Sequence, residues 1–288
     1  MQDRGIGIGQ NNPIRVVRDQ YGGLGVAACD EIDVGTLLLK VASSTQLSRD
    51  LSLASEIGSF VRVGLQNIQL ELRGTEPIKA EQSTASVAER HQQDQFPSFE
   101  IELPYYSPGE PAVALFLLHE ASKGERSSLY PYINALPSPS AAWILDPTAI
   151  SVLPSDLAPH AARLSRLIDA EYDAIARIDG RLGALPRGAL SRDRYRWAQA
   201  LILSRAFAPA AAPAAGSPSK VLVPGIDLVN HAGDALFGPF WDDTDGAAEL
   251  YADRPYRPGD PIVSQYGAGR AGRDWLLTHG FVAARTGT

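Results

Sequence analysis

The 288 residues contain a single cysteine, Cys29. One thiol closes no internal disulfide, which excludes a small secreted scaffold stapled by bridges. Nor can it supply a cysteine-rich zinc cluster. The five histidines, at 91, 119, 160, 231 and 279, show no i, i+4 pair, the spacing that aims two imidazoles at one ion from a helix. No metal is expected. Long apolar runs are missing too, and nothing approaches the roughly 18 residues of a membrane-crossing helix. Positive charge is scarce: Lys+Arg 26 against Asp+Glu 33 gives a net charge of −7, with a pI near 5.3. A nucleic-acid backbone is bound through a basic excess that releases its counterions, and this chain has none. Neither nucleic acid nor a membrane is therefore expected as a partner, whereas a basic peptide is compatible with the balance.

The common phosphate and nucleophile signatures are also absent. There is no G-x-x-x-x-G-K-[ST] and no G-x-S-x-G. The run GIGIG at 5–9 has no strand before it and misses the G-x-G-x-x-G spacing. The opening MQDRGIGIGQNN has neither the apolar core of a secretory signal nor the Arg/Ser-rich pattern of a transit peptide, so no targeting segment is expected there.

What is present is the material of a globular protein, 44% hydrophobic and 20% charged, near the usual averages. Length alone suggests about two domains, though one elaborate domain also fits. Short apolar runs IRVVR, LGVAAC and TLLLKV, separated by Tyr21-Gly22-Gly23 and Asp33-Val34-Gly35, predict strands over 14–41. A helix is expected around Leu51–Leu65, then a polar excursion, EQSTASVAERHQQDQ, with little to bury. PAVALFLLHEASKG (111–124) is apolar nearly all round and predicts a buried helix ending near Gly124. From Ser155, a plausible N-cap, to Leu182, the spacing of Leu164, Leu167, Ile168, Ile175 and Ile178 predicts an amphipathic helix. Ser191 can cap a third helix, SRDRYRWAQALILSRAF. PAAAPAAGSPS (209–219) reads as a loop. KVLVP, AAELYA and PIVSQY return to strand character, and AGRDWLLTHG closes with a short helix stopped at Gly280. Strands at both ends with helices between them predict two β parts that pair in space around one core, an α+β arrangement.

Chemistry concentrates where polar groups interrupt apolar segments. VLVPGIDLVNHA sets Asp227, Asn230 and His231 in a stretch that otherwise reads as core, and PIVSQYG ends on Tyr266. Buried groups of this kind must be hydrogen-bonded or cost about 1–3 kcal/mol each. On residue type alone they are either satisfied turn and core residues or members of a site.

Taken together, GGLGVAACDEIDVGTLLLKV, SRAF (204–207), DLVNHA (227–232), IVSQYG (262–267) and LLTHGFV (276–282) resemble, in order and spacing, the SET-domain protein methyltransferases. PAVALFLLHEASKGERSSLYPYINALP is similar to the branch holding the plant RuBisCO large-subunit lysine methyltransferases and the actin-histidine methyltransferases. The resemblance covers roughly 14–283. It implies one SET domain over 1–288: N-terminal SET strands at 14–43, a largely helical insert at 44–190, and a C-terminal SET part at 191–283 whose Asn-His segment is threaded through a loop.

The activity implied is S-adenosylmethionine-dependent methylation of a lysine on a protein substrate. The alternatives are methylation of a protein histidine, or a SET-like binding module that has lost catalysis. Carried over by position, the backbone at Gly22, Gly23 and Leu24 would hold the methionine end of S-adenosylmethionine, with Arg205 against it. Asn230 and His231 would contact its adenine and amino-acid parts, Asp227 would support the turn, and Phe207 would wall the acceptor channel. Phe240 and Trp241 are further candidates for that wall, and Tyr266 would carry the catalytic hydroxyl. Two positions depart from the pattern: Gly22 stands where the plant enzymes have glutamate, and His279 where a tyrosine stacks near the adenine. Within these 288 residues the helical substrate-docking domain of the plant enzymes has no counterpart, nor has the Cys-rich cluster of histone enzymes. The implied location is intracellular, in cytoplasm or nucleus, or in the chloroplast should a leader precede Met1.

Overall fold

The computed structural model describes residues 12–19, 23–75, 110–139, 141–209, 220–266 and 272–281. The GIGIG run, Gly22, the polar stretch at 81–95 and nearly all of 209–219 lie outside the described residues.

Three strands open the chain: β1 (Ile14–Arg18), β2 (Leu24–Ala28) and β3 (Leu37–Val41). A helical section follows, with α1 (Arg49–Ala54), α2 (Gly58–Thr75), α3 (Glu110–Ser122), α4 (Tyr130–Ala135), α5 (Ala142–Leu145), α6 (Ala158–Leu182) and α7 (Arg192–Arg205). Then come β4 (Asn230–His231), β5 (Phe240–Trp241), β6 (Ala248–Tyr251), β7 (Pro261–Ser264) and α8 (Gly272–His279). No helix among the described residues is long and apolar enough to cross a membrane.

The two ends of the chain share their sheets, as the strand–helix–strand order predicts. One sheet runs β1-β2-β7-β4 and the other β3-β6-β5. β2 meets β7 antiparallel with Val26 opposite Ile262, and β3 meets β6 antiparallel with Lys40 opposite Glu249. That cross-strand pair closes an ion pair at 2.8 Å, the kind of facing-charge contact that supports a register. β4 lies parallel to β7, Asn230 opposite Val263 and His231 opposite Ser264. Gly259, at φ +95°, permits the turn before β7 that a side chain would strain.

The apolar side chains form two clusters. Val26, Leu38, Val41, Val223, Ile226, Leu250 and Ile262 fill the space between the sheets. The larger cluster belongs to the helices, with Leu115, Leu117, Leu118, Ile144, Ile175, Leu201 and Ile202 all fully buried. α3 is buried on every face from Glu110 to Glu120, which is why its sequence shows no polar stripe. Each of its buried leucines contributes about 1.5–3 kcal/mol. Leu47, Leu222 and Leu277, from the β-bearing ends of the chain, pack into this helical cluster and join the two cores.

α6 and α7 are also joined by polar groups. Arg196, 3% exposed, donates to Asp169 at 2.6 Å and to the Ile144 carbonyl at 2.6 Å. Glu171 is fully buried. Its Oε2 accepts from the Tyr195 hydroxyl at 2.9 Å and from Gln199 Nε2 at 3.2 Å, while its Oε1 meets no partner among the described residues.

Three local expectations are corrected. The helix expected over 51–65 is two helices, α1 capped by the Ser48 hydroxyl and α2 starting at Gly58. The apolar periodicity continues across the break, and pattern alone does not reveal it. Ser155 caps nothing: α6 begins at Ala158 behind Leu157, with Pro159 in its first turn and no side-chain cap. KVLVP is not a strand but a pair of single bridges, Val221 to Phe207 and Leu222 to Leu47. Ser191 does cap α7, accepting from Arg194 N at 3.3 Å. Gly183, at φ +57°, closes α6.

Candidate functional site

An open cleft lies where the C-terminal end of α7, the 220–227 segment and the chain following β7 meet. Its lining includes Arg205, Phe207, Asp227, Tyr266 and His279, five of the residues singled out from sequence.

Each side chain has an identifiable anchor. Arg205 is the last residue of α7, and its Nη1 donates to the Asp227 carbonyl oxygen at 2.7 Å. Asp227 sits in a 3-10 turn entered through Gly225 at φ +92°. Its carboxylate accepts from the Tyr132 hydroxyl at 2.7 Å and from Gly225 N at 3.1 Å. Burial pushes its pKa up to about 6, although the nearby Arg205 guanidinium and the Tyr132 hydroxyl pull the other way. Tyr132 is raised well above the ordinary tyrosine range by burial and by the adjacent carboxylate, so this phenol remains a donor.

Tyr266 leaves the end of β7 and donates its hydroxyl to the Val229 carbonyl at 2.6 Å. Burial raises this phenol above its ordinary range, so it is neutral at pH 7. Around it stand the rings of His231 at 5.4 Å, His279 at 5.3 Å and Trp275 at 6.0 Å. His231 stacks on Trp275 at 4.4 Å and 20°, and its burial lowers its pKa, which keeps it neutral at pH 7. Its Nδ1 lies 3.3 Å from the Ser264 carbonyl oxygen, following from the parallel register of β4 on β7.

Asn230 lies on the other side of β7. Its Nδ2 donates to Asp19 Oδ2 at 3.1 Å, and Asp19 Oδ1 accepts from Gly23 N at 2.8 Å. A Cβ on Gly25 would come 2.8 Å from that Asn230 nitrogen, so the bare glycine lets the amide lie over β2. The Asp19 carboxylate thereby links Gly23, just before β2, to Asn230 on the edge strand β4, and Gly22 falls outside the described residues.

Gly23, Leu24, Asn230 and His231 are not among the residues lining the cleft, and neither are Phe240 and Trp241. Phe240 is 50% exposed on β5 and packs on Phe237 and Tyr251. Trp241 reaches the cleft indirectly, its ring 6.2 Å from Phe207 and its Nε1 donating to Gln46 Oε1 at 3.1 Å.

Sequence reading missed Lys220, which lines the cleft, and Tyr132, Asp19 and Trp275. Trp275 precedes His279 by one helical turn, a spacing that could have linked the two rings. Tyr132 is 95 residues from its Asp227 partner, and no sequence pattern connects them.

No protein-family model matches the chain, and no curated protein matches it in sequence. Solved structures do. The SET domain of LSMT bound to lysine and AdoHcy is 20% identical, with a TM-score of 0.66 over 96% of this chain and 54% of that one. Rubisco LSMT bound to sinefungin and monomethyllysine is 20% identical, with a TM-score of 0.65 over 99% and 55%. Rubisco LSMT bound to AdoMet is 19% identical, with a TM-score of 0.61 over 96% and 54%. The chain spans about half the length of the solved structures it matches. It has the α+β fold of the SET domain.

Proposed function

We propose that this protein is an S-adenosylmethionine-dependent methyltransferase whose acceptor is a lysine side chain of another protein. The observation that carries the reading is the convergence on one cleft of Arg205, Asp227, Tyr266 and His279, in a SET fold whose solved neighbours hold AdoMet, AdoHcy or sinefungin and a lysine or methyllysine. The same reading makes the chain one SET unit with a helical insert, since β2–β7 and β3–β6 pairing leaves neither end able to complete a sheet alone.

The residues present fit such a cofactor. Arg205 offers a guanidinium at the cleft, and His279 offers a planar ring beside Tyr266. Gly22–Leu24 and Arg205 would hold the methionine end, Asn230 and the backbone of His231 would contact the adenine and amino-acid parts, and His279 would stack near the adenine. When bound, S-adenosylmethionine supplies a methyl group carried on a sulfonium.

The chain's own residues prepare the acceptor. A lysine of pKa about 10.4 is roughly three units from half deprotonation at pH 7, a cost of about 4–5 kcal/mol. Leu203, Ala206 and Phe207 in the cleft wall exclude water from the amine, which favours its neutral form. The Tyr266 hydroxyl, fixed by Val229, orients that amine. Being neutral and raised in pKa, it is no general base at pH 7, and the proton leaves to water as the lysine enters. Alignment then supplies much of the acceleration.

Tritiated methyl transfer from S-adenosylmethionine to cell-extract protein, followed by mass spectrometry of the labelled residue, tests the reading. Label on lysine is the expected result. Label on histidine would reassign the acceptor, and cofactor binding without transfer would make the chain a degenerate module.

A further inference from the structure

The sheet β3-β6-β5 buries only one of its faces. Ala248 and Leu250 of β6 turn into the core between the sheets, so Glu249 and Tyr251 turn outward. The register sets their neighbours: Leu37 and Lys40 of β3 stand opposite Tyr251 and Glu249, and Phe240 of β5 stands opposite Glu249 from the other side. Directly paired residues project to one side of a sheet, so Leu37, Phe240 and Tyr251 share the outer face. Phe240 packs on Tyr251 and, at 5.2 Å, on Phe237. Leu37 is 43% exposed, and Leu236, beside Phe237 in the chain, is 71% exposed. Apolar side chains exposed together, with a polar rim, mark an interaction surface. Carboxylates lie at both ends of this one. At one end the Lys40 ammonium meets Glu249 at 2.8 Å and Asp245 at 3.4 Å, with Asp242 and the exposed Asp243 in the turn after β5. At the other, Arg254 meets Asp234 at 2.7 Å and Asp253 at 2.9 Å, and Asp253 also accepts from Leu236 N at 3.0 Å. No other cation among the described residues is paired with these six carboxylates, so the surroundings stay negative after the ion pairs close.

We propose that this outer face is a docking surface for the acceptor protein, holding a segment that carries basic and apolar side chains together. The inference rests on the methyl-transfer reading. The face is tied to the cleft at two points without lining it. Gln265 N, one residue before Tyr266, donates to the Phe237 carbonyl at 3.0 Å, and Trp241, on the inner side of β5, packs on Phe207 of the cleft wall. A protein whose lysine enters the cleft can therefore also rest on this face. Charge selects among the occupants. A second copy of this chain carries a net charge of −7 and the same carboxylates, and a symmetric pairing would set like charges against one another. An acidic segment is repelled in the same way, whereas a basic one is attracted and steered.

Two readouts test this. Fluorescence anisotropy of a labelled peptide alternating lysine and leucine measures the face directly. The KM of methyl transfer to the acceptor protein found by extract labelling measures its use. Leu37→Ser/Leu236→Ser replaces two exposed side chains, so folding is kept. It should weaken the peptide and raise KM by about tenfold, the scale of losing an apolar anchor, with kcat and the S-adenosylmethionine-induced rise in melting temperature unchanged. Asp242→Asn/Asp243→Asn/Asp245→Asn keeps the side-chain oxygens that accept from Thr244 N and Ala247 N and removes three charges. Its effect should be about fivefold at low salt and fade at high salt, where surface charges are screened. The same peptide with glutamate for lysine should not bind. An unchanged KM in both variants with transfer intact overturns the inference, as does a fall in kcat with KM unmoved. A dimer of the unaltered protein that the leucine variant dissolves assigns the face to a second copy and also overturns it. Absence of methyl transfer by the unaltered protein defeats the methyltransferase reading, and the acceptor as occupant with it.

Discussion

Glu171 gives the most direct test of how the helical core is held. The carboxyl is fully buried between α6 and α7, and burial pushes its pKa from 4.5 up to about 8, with the Tyr195 hydroxyl pulling slightly the other way. The folded protein therefore keeps a proton on Glu171 across a range where the unfolded chain has lost it. Stability from this group is fully present below the unfolded value near 4.5 and is lost as pH rises toward about 8. Asp227, raised to about 6 by burial, acts in the same direction but mostly at lower pH. His231, lowered by burial, acts oppositely and only below its ordinary value near 6.5. Between pH 6.5 and 8 Glu171 dominates, and the loss is on the order of 1–2 kcal/mol. For 288 residues an unfolding entropy near 2.1 cal/mol/K per residue makes that a drop of about 2–3 °C in Tm. Glu171→Gln keeps an acceptor for Tyr195 and carries no titrating proton, so its Tm should be flat relative to wild type over the same window. Urea unfolding at pH 6.5 and 8, wild type beside variant, measures the difference. A wild-type stability that holds or rises relative to the variant would show that Glu171 is ionised in the folded state, and the argument from burial would fail.

Three further outcomes are expected. Tyr266→Phe removes the hydroxyl that donates to Val229 and should slow methyl transfer by about 10²-fold, while the cofactor-induced rise in melting temperature persists. In Gly25→Ala the new Cβ meets Asn230 Nδ2 and turns the amide aside. A thermal-shift titration with S-adenosylmethionine should then lose most of its rise, and an unchanged titration would remove Asn230 from the cofactor site. Leu115→Ala opens a cavity at a fully buried position of α3 and should cost about 2–5 kcal/mol of unfolding free energy, read by urea denaturation.

The sequence by itself determined the elements and the cast. Short apolar runs bounded by turn residues marked β1–β3, β6 and β7, the uniformly apolar 111–122 segment marked a buried helix, and Ser191 marked the start of α7. Those signals are local, because strand alternation, helix periodicity and capping act over a few neighbouring residues. Asp227, Asn230, His231 and Tyr266 stood out for the same reason, as polar groups in segments that otherwise read as core, whereas Arg205 and His279 were marked only by the resemblance to the SET-domain methyltransferases. Only the tertiary structure decided how they meet. The break between α1 and α2 and the Leu157 start of α6 depend on packing that periodicity does not encode. Tyr132 reaches Asp227 across 95 residues, Asn230 reaches Asp19 across 211, and Lys220 reaches Glu110 from the far side of the helical section. Phe240, adjacent in sequence to Trp241, turns to solvent while Trp241 turns inward to Phe207, because neighbouring residues of a strand face opposite sides. Partner choice for a buried charge or hydroxyl is set by which side chains the closed sheets bring within about 3 Å, and that distance exists only once the chain has folded.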